Sequence, residues 1–293
     1  MSLPCWYASI YYRLEALNDA SRPGDVALTG WPVRSQYDFK VAGEPGRVEE
    51  NVLAIDVGAT YVKTAVVAPN GELLDDVRRE DTPYPCTPER LVRALTSLMD
   101  DYGLARVAVG FPGEYVEGRV YEPGNLSRAG GIETDIDPAI HEAWCNFALE
   151  EALRDSSARD VRVVNDAALA ALGCATGEGR EFVATLGTGF GIALVAQGRI
   201  ERIRDVGNKP FLEGLSYDQQ LGEPSRRRDE VRWNLMVRRA VGELAAEFRA
   251  DCVHLGGGNA RRVDLGVFAD LGLPVDVNTN DVTLSGAARL FRD

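Results

Sequence analysis

The sequence predicts an α/β protein made of two similar lobes with a cleft between them. Short apolar runs bounded by turn residues alternate with segments whose apolar residues recur at helical spacing, as in α/β domains. This order of strands and helices occurs twice along the chain. The chain has 293 residues, of which 45% are hydrophobic, so it can supply the cores of two lobes.

Residues 1–50 differ from the rest of the chain and are predicted to form an N-terminal extension of unknown role. They begin with several aromatic residues, after which Pro and Gly recur without a clear period. Such a segment favours a surface extension over a packed domain. An interaction arm is the alternative.

The first lobe is predicted to span residues 51–160. Apolar runs separated by a Gly-containing turn and by the pair Asn70-Gly71 indicate an antiparallel meander, and a Thr-Pro pair introduces a helix. In order, the predicted elements are strands at 52–56 and 62–67, a third strand after the turn pair, a helix at 88–99, a strand at 107–111, a strand pair within 115–121 and a helix at 138–154.

The second lobe is predicted to span residues 161–280, because the same order of elements restarts there. Its predicted elements are a strand at 161–164, a helix at 166–176, a hairpin of strands at 182–186 and 192–195, an amphipathic helix at 226–248 and a strand at 252–255. Residues 281–293 are predicted to hold a C-terminal helix, at 284–291, that packs back on the first lobe.

Charge and hydropathy argue against several classes of partner. The chain carries 32 Lys and Arg against 45 Asp and Glu, a net charge of −13, so nucleic acid is not an expected partner. An anionic phosphate donor would have to be met by a local basic groove. No apolar run approaches the roughly 20 residues of a membrane span. A cytoplasmic protein without membrane contact is therefore expected.

The cysteines predict free thiols and no zinc site. Five cysteines stand far apart, without a CxxC pair. Such spacing is typical of a reducing compartment rather than of a disulfide framework. The chain also has only two histidines, which argues further against a zinc motif.

A first small-residue turn follows the strand at 52–56, and its notable residues are Asp56, Gly58, Thr60 and Lys63. Glycine lets backbone N–H groups approach a phosphate closely, while the Thr hydroxyl and the Lys charge add further ligands for it. An ordinary tight hairpin would explain the same residues, so this turn alone does not decide for a function.

Two further glycine-rich turns favour a phosphate or nucleotide site. The first has its glycines at alternate positions, which cost more backbone entropy than a simple reversal needs. The second follows a strand where a helix N-terminus could meet a phosphate or a nucleoside, and it is not the GxGxxG fingerprint. Their residues are Thr185, Gly187, Thr188 and Gly189 in the first, and Gly256, Gly257, Gly258 and Asn259 in the second.

The pair Asn165-Asp166 stands where a predicted strand becomes a helix. An Asp at such a junction is ordinarily explained as a helix N-cap. Three glycine-rich turns in the same chain, with this carboxylate between them in sequence, favour a catalytic role instead.

Together these motifs resemble those of the actin-like sugar kinases, and among them the bacterial ROK family (repressors, open reading frames and kinases). The turns at 56–63, 185–191 and 256–260 look like the family's two phosphate motifs and its nucleotide-side glycine motif, in the family's order. The stretch TPYPCTP at 82–88 resembles the TPxPxTP stretch of polyphosphate glucokinases. The resemblance covers about residues 51–293.

This resemblance implies a two-lobed actin-like ATPase (ribonuclease H-like) fold and a glucokinase-like transferase with an interlobe cleft. The implied reaction is phosphoryl transfer from polyphosphate or ATP to a hexose hydroxyl, with Asp166 as general base and Mg²⁺ held near Asp56. The implied phosphate ligands are Gly58, Thr60, Lys63, Thr185, Gly187, Thr188 and Gly189. The implied nucleotide ligands are Gly256, Gly257, Gly258 and Asn259, and the implied sugar ligands are Asn125, Asn165, Asp205 and Asn208.

One stretch departs from the family pattern. Where the family closes its sugar site with Glu-x-Gly-His, this chain has Asp205-Val-Gly207-Asn208. Asp is a shorter acid, and Asn has neither the charge nor the basicity of an imidazole. The alternative is therefore a catalytically weakened sugar-binding or regulatory member of the family. The sugar and the oligomeric state, a homodimer included, are left open.

Overall fold

The computed structural model describes residues 50–201, 203–278 and 281–291. The predicted N-terminal extension, apart from Glu50, lies outside the described residues. Within the described part of the chain, the backbone forms two five-stranded sheets and two short hairpins.

The first sheet has three antiparallel strands followed by two parallel ones, in the order β3-β2-β1-β4-β7. Its strands are β1 (Val52–Val57), β2 (Tyr61–Val67), β3 (Arg78–Asp81), β4 (Arg106–Phe111) and β7 (Asp160–Asn165). Between β4 and β7 a short hairpin is formed by β5 (Glu114–Val116) and β6 (Arg119–Glu122).

The second sheet repeats this arrangement, in the order β10-β9-β8-β13-β14. Its strands are β8 (Arg180–Leu186), β9 (Phe190–Ala196), β10 (Arg199–Glu201), β13 (Cys252–Gly256) and β14 (Val275–Val277), and a short hairpin is formed by β11 (Pro210–Leu212) and β12 (Leu215–Ser216). Again three strands are antiparallel and the rest parallel. The predicted pair of similar α/β units is confirmed by this repeat.

Helices connect and cover the sheets. They are α1 (Pro88–Tyr102), α2 (Pro138–Trp144), α3 (Leu149–Ser157), α4 (Asp166–Cys174), α5 (Tyr217–Leu221), α6 (Glu223–Arg228), α7 (Glu230–Glu247) and α8 (Asp281–Ser285). Short 3-10 helices occupy Gly124–Ser127, Ala260–Arg262, Leu265–Phe268 and Gly286–Phe291. In the described ranges, no helix has the length and apolar character needed to cross a membrane.

Helix α4 lies between the two sheets and positions the residues at its start. It contacts β4 and β7 of the first sheet and β8, β9 and β10 of the second. A helix buried on most sides must be apolar on most sides, and α4 has the sequence DAALAALGC, whose alanines and leucines are mainly buried. Its first residue, Asp166, therefore stands at the junction of the two lobes.

The predicted lobe boundary differs from the observed sheets. The strand predicted at 161–164 was expected to open the second lobe, but as β7 it pairs in parallel with β4 and completes the first sheet. An apolar strand pattern shows that a strand is buried and does not show which strand it pairs with. The second sheet begins with β8, after α4.

Two predicted long helices are broken in the structure. The helix expected at 138–154 is divided into α2 and α3, where Asn146 has the left-handed φ of 61°. The helix expected at 226–248 is divided into α6 and α7 by Asp229, which is extended and whose side chain accepts a hydrogen bond from the amide of Arg232 at 2.9 Å. Each break is a local cap or turn that apolar periodicity does not detect.

The C-terminal segment is a short α-helix followed by a 3-10 helix, rather than the single helix expected at 284–291. Helix α8 contacts α4, β1 and β2, and the 3-10 helix contacts α4, β1 and β4. The guanidinium of Arg162 donates to the carbonyl of Leu290 and stacks over the ring of Phe291 at 4.5 Å. These contacts hold the segment against the first sheet.

Candidate active site

The cleft between the lobes has a volume of about 770 Å³ and collects nearly all of the predicted site residues. All three glycine-rich turns contribute to its lining, as do Asp56 and Asp166 and the residues predicted to bind sugar. Gly256 is the exception, because it ends β13 and is buried within the sheet. The structure thus brings the predicted residues together from both lobes.

Asp166 is the first residue of α4 and faces this cleft. One oxygen of its carboxylate accepts a hydrogen bond from the amide of Ala167 at 2.8 Å. Burial, and next the charge of Asp56, raise the pKa of Asp166 to about 7. A carboxylate with a pKa near neutrality is a suitable proton acceptor at physiological pH.

Asn165 caps α4 and has little capacity left for a ligand. Its side-chain oxygen accepts hydrogen bonds from the amides of Ala167 and Ala168 at 2.9 and 3.1 Å. Its amide nitrogen donates to the carbonyl of Gly113 at 2.9 Å. One N–H of the amide therefore remains for a substrate.

Asp56 is the last residue but one of β1, is 8% exposed and is close enough to Asp166 to raise its pKa. Lys63 on β2, its register partner, donates to the Asp56 carboxylate at 2.9 Å. Mg²⁺ is usually bound in proteins by one or two carboxylates together with phosphates and waters. The neighbouring carboxylates of Asp56 and Asp166 fit that requirement.

The TPYPCTP stretch at 82–88 holds the first turn in place by hydrogen bonds. Thr82 is buried and its hydroxyl donates to the carbonyl of Gly58 at 2.7 Å. The hydroxyl of Tyr84 lies 2.9 Å from the carbonyl of Ala59 and 3.1 Å from that of Asn125. The stretch therefore links the first turn to the segment that carries Asn125.

The second and third turns are joined to each other. Asn259 donates from its backbone amide to the carbonyl of Leu186 at 2.9 Å and from its side chain to the carbonyl of Gly187 at 3.0 Å. Gly257 has a φ of 85°, and a Cβ there would collide with the carbonyl of Leu186. Only glycine allows this close approach. At Gly187 an added Cβ would meet nothing, because that position faces the open cleft.

The stretch at 205–208, whose residues differ from the family pattern, lies at the cleft. The Asp205 carboxylate accepts a hydrogen bond from the amide of Gly207 at 3.2 Å, and burial raises its pKa. Asn208 is exposed and lines the cleft. Both residues are thus placed where a substrate can reach them.

Glu122 and His141 form a pair at the same wall that sequence reasoning missed. The Glu122 carboxylate lies 3.1 Å from Nε2 of His141 and lines the cleft. It is close enough to Asp205 to help raise the pKa of Asp205. Arg128 lines the same wall and donates from Nε to the side-chain oxygen of Asn125 at 2.8 Å. No local sequence signal marks these residues, because β6, α2 and the 3-10 helix meet only in the fold.

Asp218 is a second missed residue. Its carboxylate accepts a hydrogen bond from the amide of Phe190 at 2.7 Å, and its backbone amide donates to the carbonyl of Gly207 at 2.8 Å. Burial raises the pKa of Asp218 to about 6. Asp218 therefore joins the second turn to the 205–208 stretch.

Basic side chains line the cleft and could meet an anionic phosphate donor. They belong to Lys63, Arg79, Arg128, Arg204 and Arg227. Arg226, Arg228, Arg261 and Arg262 are not part of the lining, and Arg226 is held in ion pairs by Glu223 and Glu230.

Comparison with solved structures shows the same fold in sugar kinases and in a regulator. The inorganic polyphosphate/ATP-glucomannokinase of Arthrobacter sp. strain KM is 26% identical, with a TM-score of 0.67 over 81% of this chain and 96% of the other. A ROK family glucokinase of Streptomyces griseus, solved with glucose and AMPPNP, is 16% identical, with a TM-score of 0.62 over 81% and 98%. A ROK family transcriptional regulator, a homologue of the E. coli MLC protein, is 14% identical, with a TM-score of 0.58 over 82% and 77%.

Among curated proteins no sequence match was found. The model of the ROK family matches residues 52–204, which is more than half of the chain. Together with the sugar-kinase fold of the neighbours, this confirms the actin-like architecture that the motifs implied. The chain belongs to the ROK family.

Proposed function

We propose that this protein is a sugar kinase that transfers a phosphoryl group from polyphosphate or ATP to a hydroxyl of a hexose. The observation that carries the proposal is the position of Asp166. It stands between the two lobes, faces the cleft that the phosphate turns line, and has a pKa raised to about 7 by burial. A ROK-family fold alone would not distinguish a kinase from a regulator.

Asp166 would act as the general base. Phosphoryl transfer needs an in-line arrangement, neutralisation of phosphate charge and a group that takes the proton of the attacking hydroxyl. Only one hydrogen bond from the protein, that of the Ala167 amide, reaches the Asp166 carboxylate within the described part of the chain. Its other oxygen can therefore accept the hydroxyl proton.

The donor phosphates would be held by the turns around Gly58 and Gly187. Thr82 and Tyr84 fix the first turn, and Asn259 fixes the second, so their amides are ordered before the donor arrives. Such preorganised donors stabilise charge more effectively than groups that must reorient. Mg²⁺ near Asp56 would neutralise donor oxygens.

The hexose would lie against the wall formed by Asn125, Asp205, Asn208 and the Glu122–His141 pair. Carboxylates and amides bind sugar hydroxyls by accepting and donating hydrogen bonds in fixed directions. Because Asp205 and Asn208 replace a Glu and a His, we propose that Glu122, oriented by His141, supplies a longer carboxylate at this wall.

A sugar-binding regulator without activity is the second candidate. The Asp205 and Asn208 replacements favour it, and a ROK transcriptional regulator has the same fold. The retained Asp166 at the cleft argues for the kinase.

A product assay separates the two candidates. Purified protein with Mg²⁺ would be incubated with a panel of hexoses and hexose amines against ATP, GTP and polyphosphate, and sugar phosphate detected by mass. We expect sugar phosphate from at least one pair. Sugar binding in calorimetry without any sugar phosphate would support the regulator instead.

A further inference from the structure

A cluster of metal-binding side chains lies in the second lobe, outside the residues that line the cleft. It consists of Glu181 on β8 and of Cys252 and His254 on β13. Cys252 is the direct register partner of Glu181 in this parallel pair, and His254 is two residues further along. Residues at such positions project from the same face of a sheet.

The ligand atoms of these side chains are close together. Nε2 of His254 lies 2.8 Å from Oε2 of Glu181 and 3.7 Å from Sγ of Cys252. All three atoms lie within 4.8 Å of one another. Metal–ligand distances of about 2.0–2.3 Å place tetrahedral ligand atoms roughly 3.3–3.8 Å apart, so small shifts would admit an ion.

The cluster is enclosed and its carboxylate is held in place. Glu181 is fully buried and His254 is 5% exposed. The amides of Thr176 and Gly177 donate to the two oxygens of Glu181 at 2.8 and 2.6 Å. Hydrogen bonds of this kind hold a carboxylate in a fixed orientation toward a metal ion.

A buried Glu–His ion pair would account for Glu181 and His254, but it does not account for the thiol of Cys252, which lies 3.7 Å from Nε2 of the same histidine. Cys174, the last residue of α4, is a further thiol near Glu181 and Cys252.

We propose that Glu181, Cys252 and His254 bind a zinc ion that fastens β8 to β13. A mixed sulfur, nitrogen and oxygen donor set suits Zn²⁺, and three protein ligands leave one position for Cys174 or a water. Binding releases the thiol proton of Cys252, and His254 binds as the neutral imidazole. No zinc motif is visible in the sequence, because Glu181 lies 71 positions before Cys252.

Cobalt substitution tests the site independently of any kinase activity. Co²⁺ added to metal-free full-length protein should give one equivalent of binding, with the thiolate-to-cobalt absorption band that only a cysteine ligand produces. Zn²⁺ should displace the Co²⁺ and raise the melting temperature. A Co²⁺ ion at the carboxylates of the cleft would lack this band.

Variants identify the ligands. Cys252→Ser and His254→Gln should each weaken binding by at least about 100-fold and remove the zinc-dependent rise in melting temperature. Cys145→Ser, outside the cluster, is the matched control and should bind normally. Weaker Co²⁺ binding by Cys174→Ser would identify Cys174 as the fourth ligand. Normal binding by that variant would identify a water as the fourth ligand. Absence of the cobalt band in the wild type, or binding of Co²⁺ by Cys252→Ser with the wild-type affinity, would overturn the proposal.

Discussion

Asn165 caps helix α4 and leaves Asp166 as the first residue inside the helix. The two side chains have different roles at this junction. The side-chain oxygen of Asn165 accepts hydrogen bonds from the backbone amides of Ala167 and Ala168 in the first turn of the helix. Because the cap is already filled, the Asp166 carboxylate is not needed for it. Negative charge at a helix N-terminus is also favourable, which helps to keep a buried carboxylate there.

We expect Asp166→Asn to reduce kcat for sugar phosphorylation by about 100-fold to 10,000-fold. The amide is nearly isosteric with the carboxylate but cannot take a proton. Steady-state kinetics with the preferred sugar and donor would measure the change, and circular dichroism would confirm folding. The matched control is Asp155→Asn, an exposed Asp on α3. A variant that kept more than about a tenth of the wild-type kcat would contradict the assignment of the base.

The activity should require the ionised form of Asp166. Because burial raises its pKa to about 7, we expect kcat/KM to fall tenfold per pH unit well below pH 7 and to level off above it. Rate profiles from pH 5 to pH 9 would show this limb. A kcat/KM that stayed constant down to pH 5 would mean that a carboxylate with an ordinary pKa is the base.

Asp166 should also destabilise the protein at neutral pH. Its pKa is about 7 in the folded state and near 3.8 in an unfolded chain, so the unfolded state loses the proton first as the pH rises. The resulting decrease in the free energy of unfolding develops between about pH 4 and pH 7 and is complete above pH 7. We expect Asp166→Asn to be more stable than the wild type, with a gain that grows by roughly 2–3 kcal/mol between pH 5 and pH 8 in urea unfolding. A gain independent of pH would show that the carboxyl is not buried as the structure has it.

Sequence patterns identified the strands and the three turns because those are local features. The alternation of apolar runs and glycines marks β1, β2, β8, β9 and β13 directly. The partner of a strand is not a local feature, which is why β7 was assigned to the wrong lobe. Asp229 did carry a local signal, as an N-cap three residues before Arg232, but the long apolar periodicity masked it.

The candidate site was predicted in the parts that rest on single motifs. Asp56, Asp166 and the glycines lie in short segments whose composition is unusual by itself. Glu122 and His141 are 19 positions apart in ordinary segments, and they meet only because β6 and α2 pack together. Their proximity to Asp205 depends in addition on how the lobes close over the cleft.

The sugar wall should determine the ranking of hexoses. We expect Asn208→His to change the order of kcat/KM values in the sugar panel, because an imidazole adds a basic nitrogen at an exposed position of the cleft. Glu122→Gln should raise the KM for sugar about tenfold or more and leave the KM for the donor unchanged. Glu117→Gln, on the turn between β5 and β6, is the control. If neither variant altered the ranking or the sugar KM, the sugar would lie elsewhere in the cleft.

The choice of donor depends on the basic side chains of the cleft. A nucleotide needs a compact phosphate cradle and a slot for its base, whereas polyphosphate must lie along several cations. Lys63 and Arg79 on the first lobe and Arg204 and Arg227 on the second line the cleft, and they can form such a track. The net charge of −13 opposes any polyanion elsewhere on the surface.

We propose polyphosphate as the preferred donor and expect its apparent affinity to fall more steeply with salt than that of ATP. Several charges are neutralised together along one chain, and each is screened by added ions. Apparent KM values for both donors from roughly 0.05 to 0.5 M salt would give the two slopes. Arg204→Ala should flatten the polyphosphate slope, whereas Arg261→Ala, which is exposed outside the cleft lining, should not. Saturable ATP activity without polyphosphate turnover would refute the preference, and equal slopes would remove its electrostatic basis.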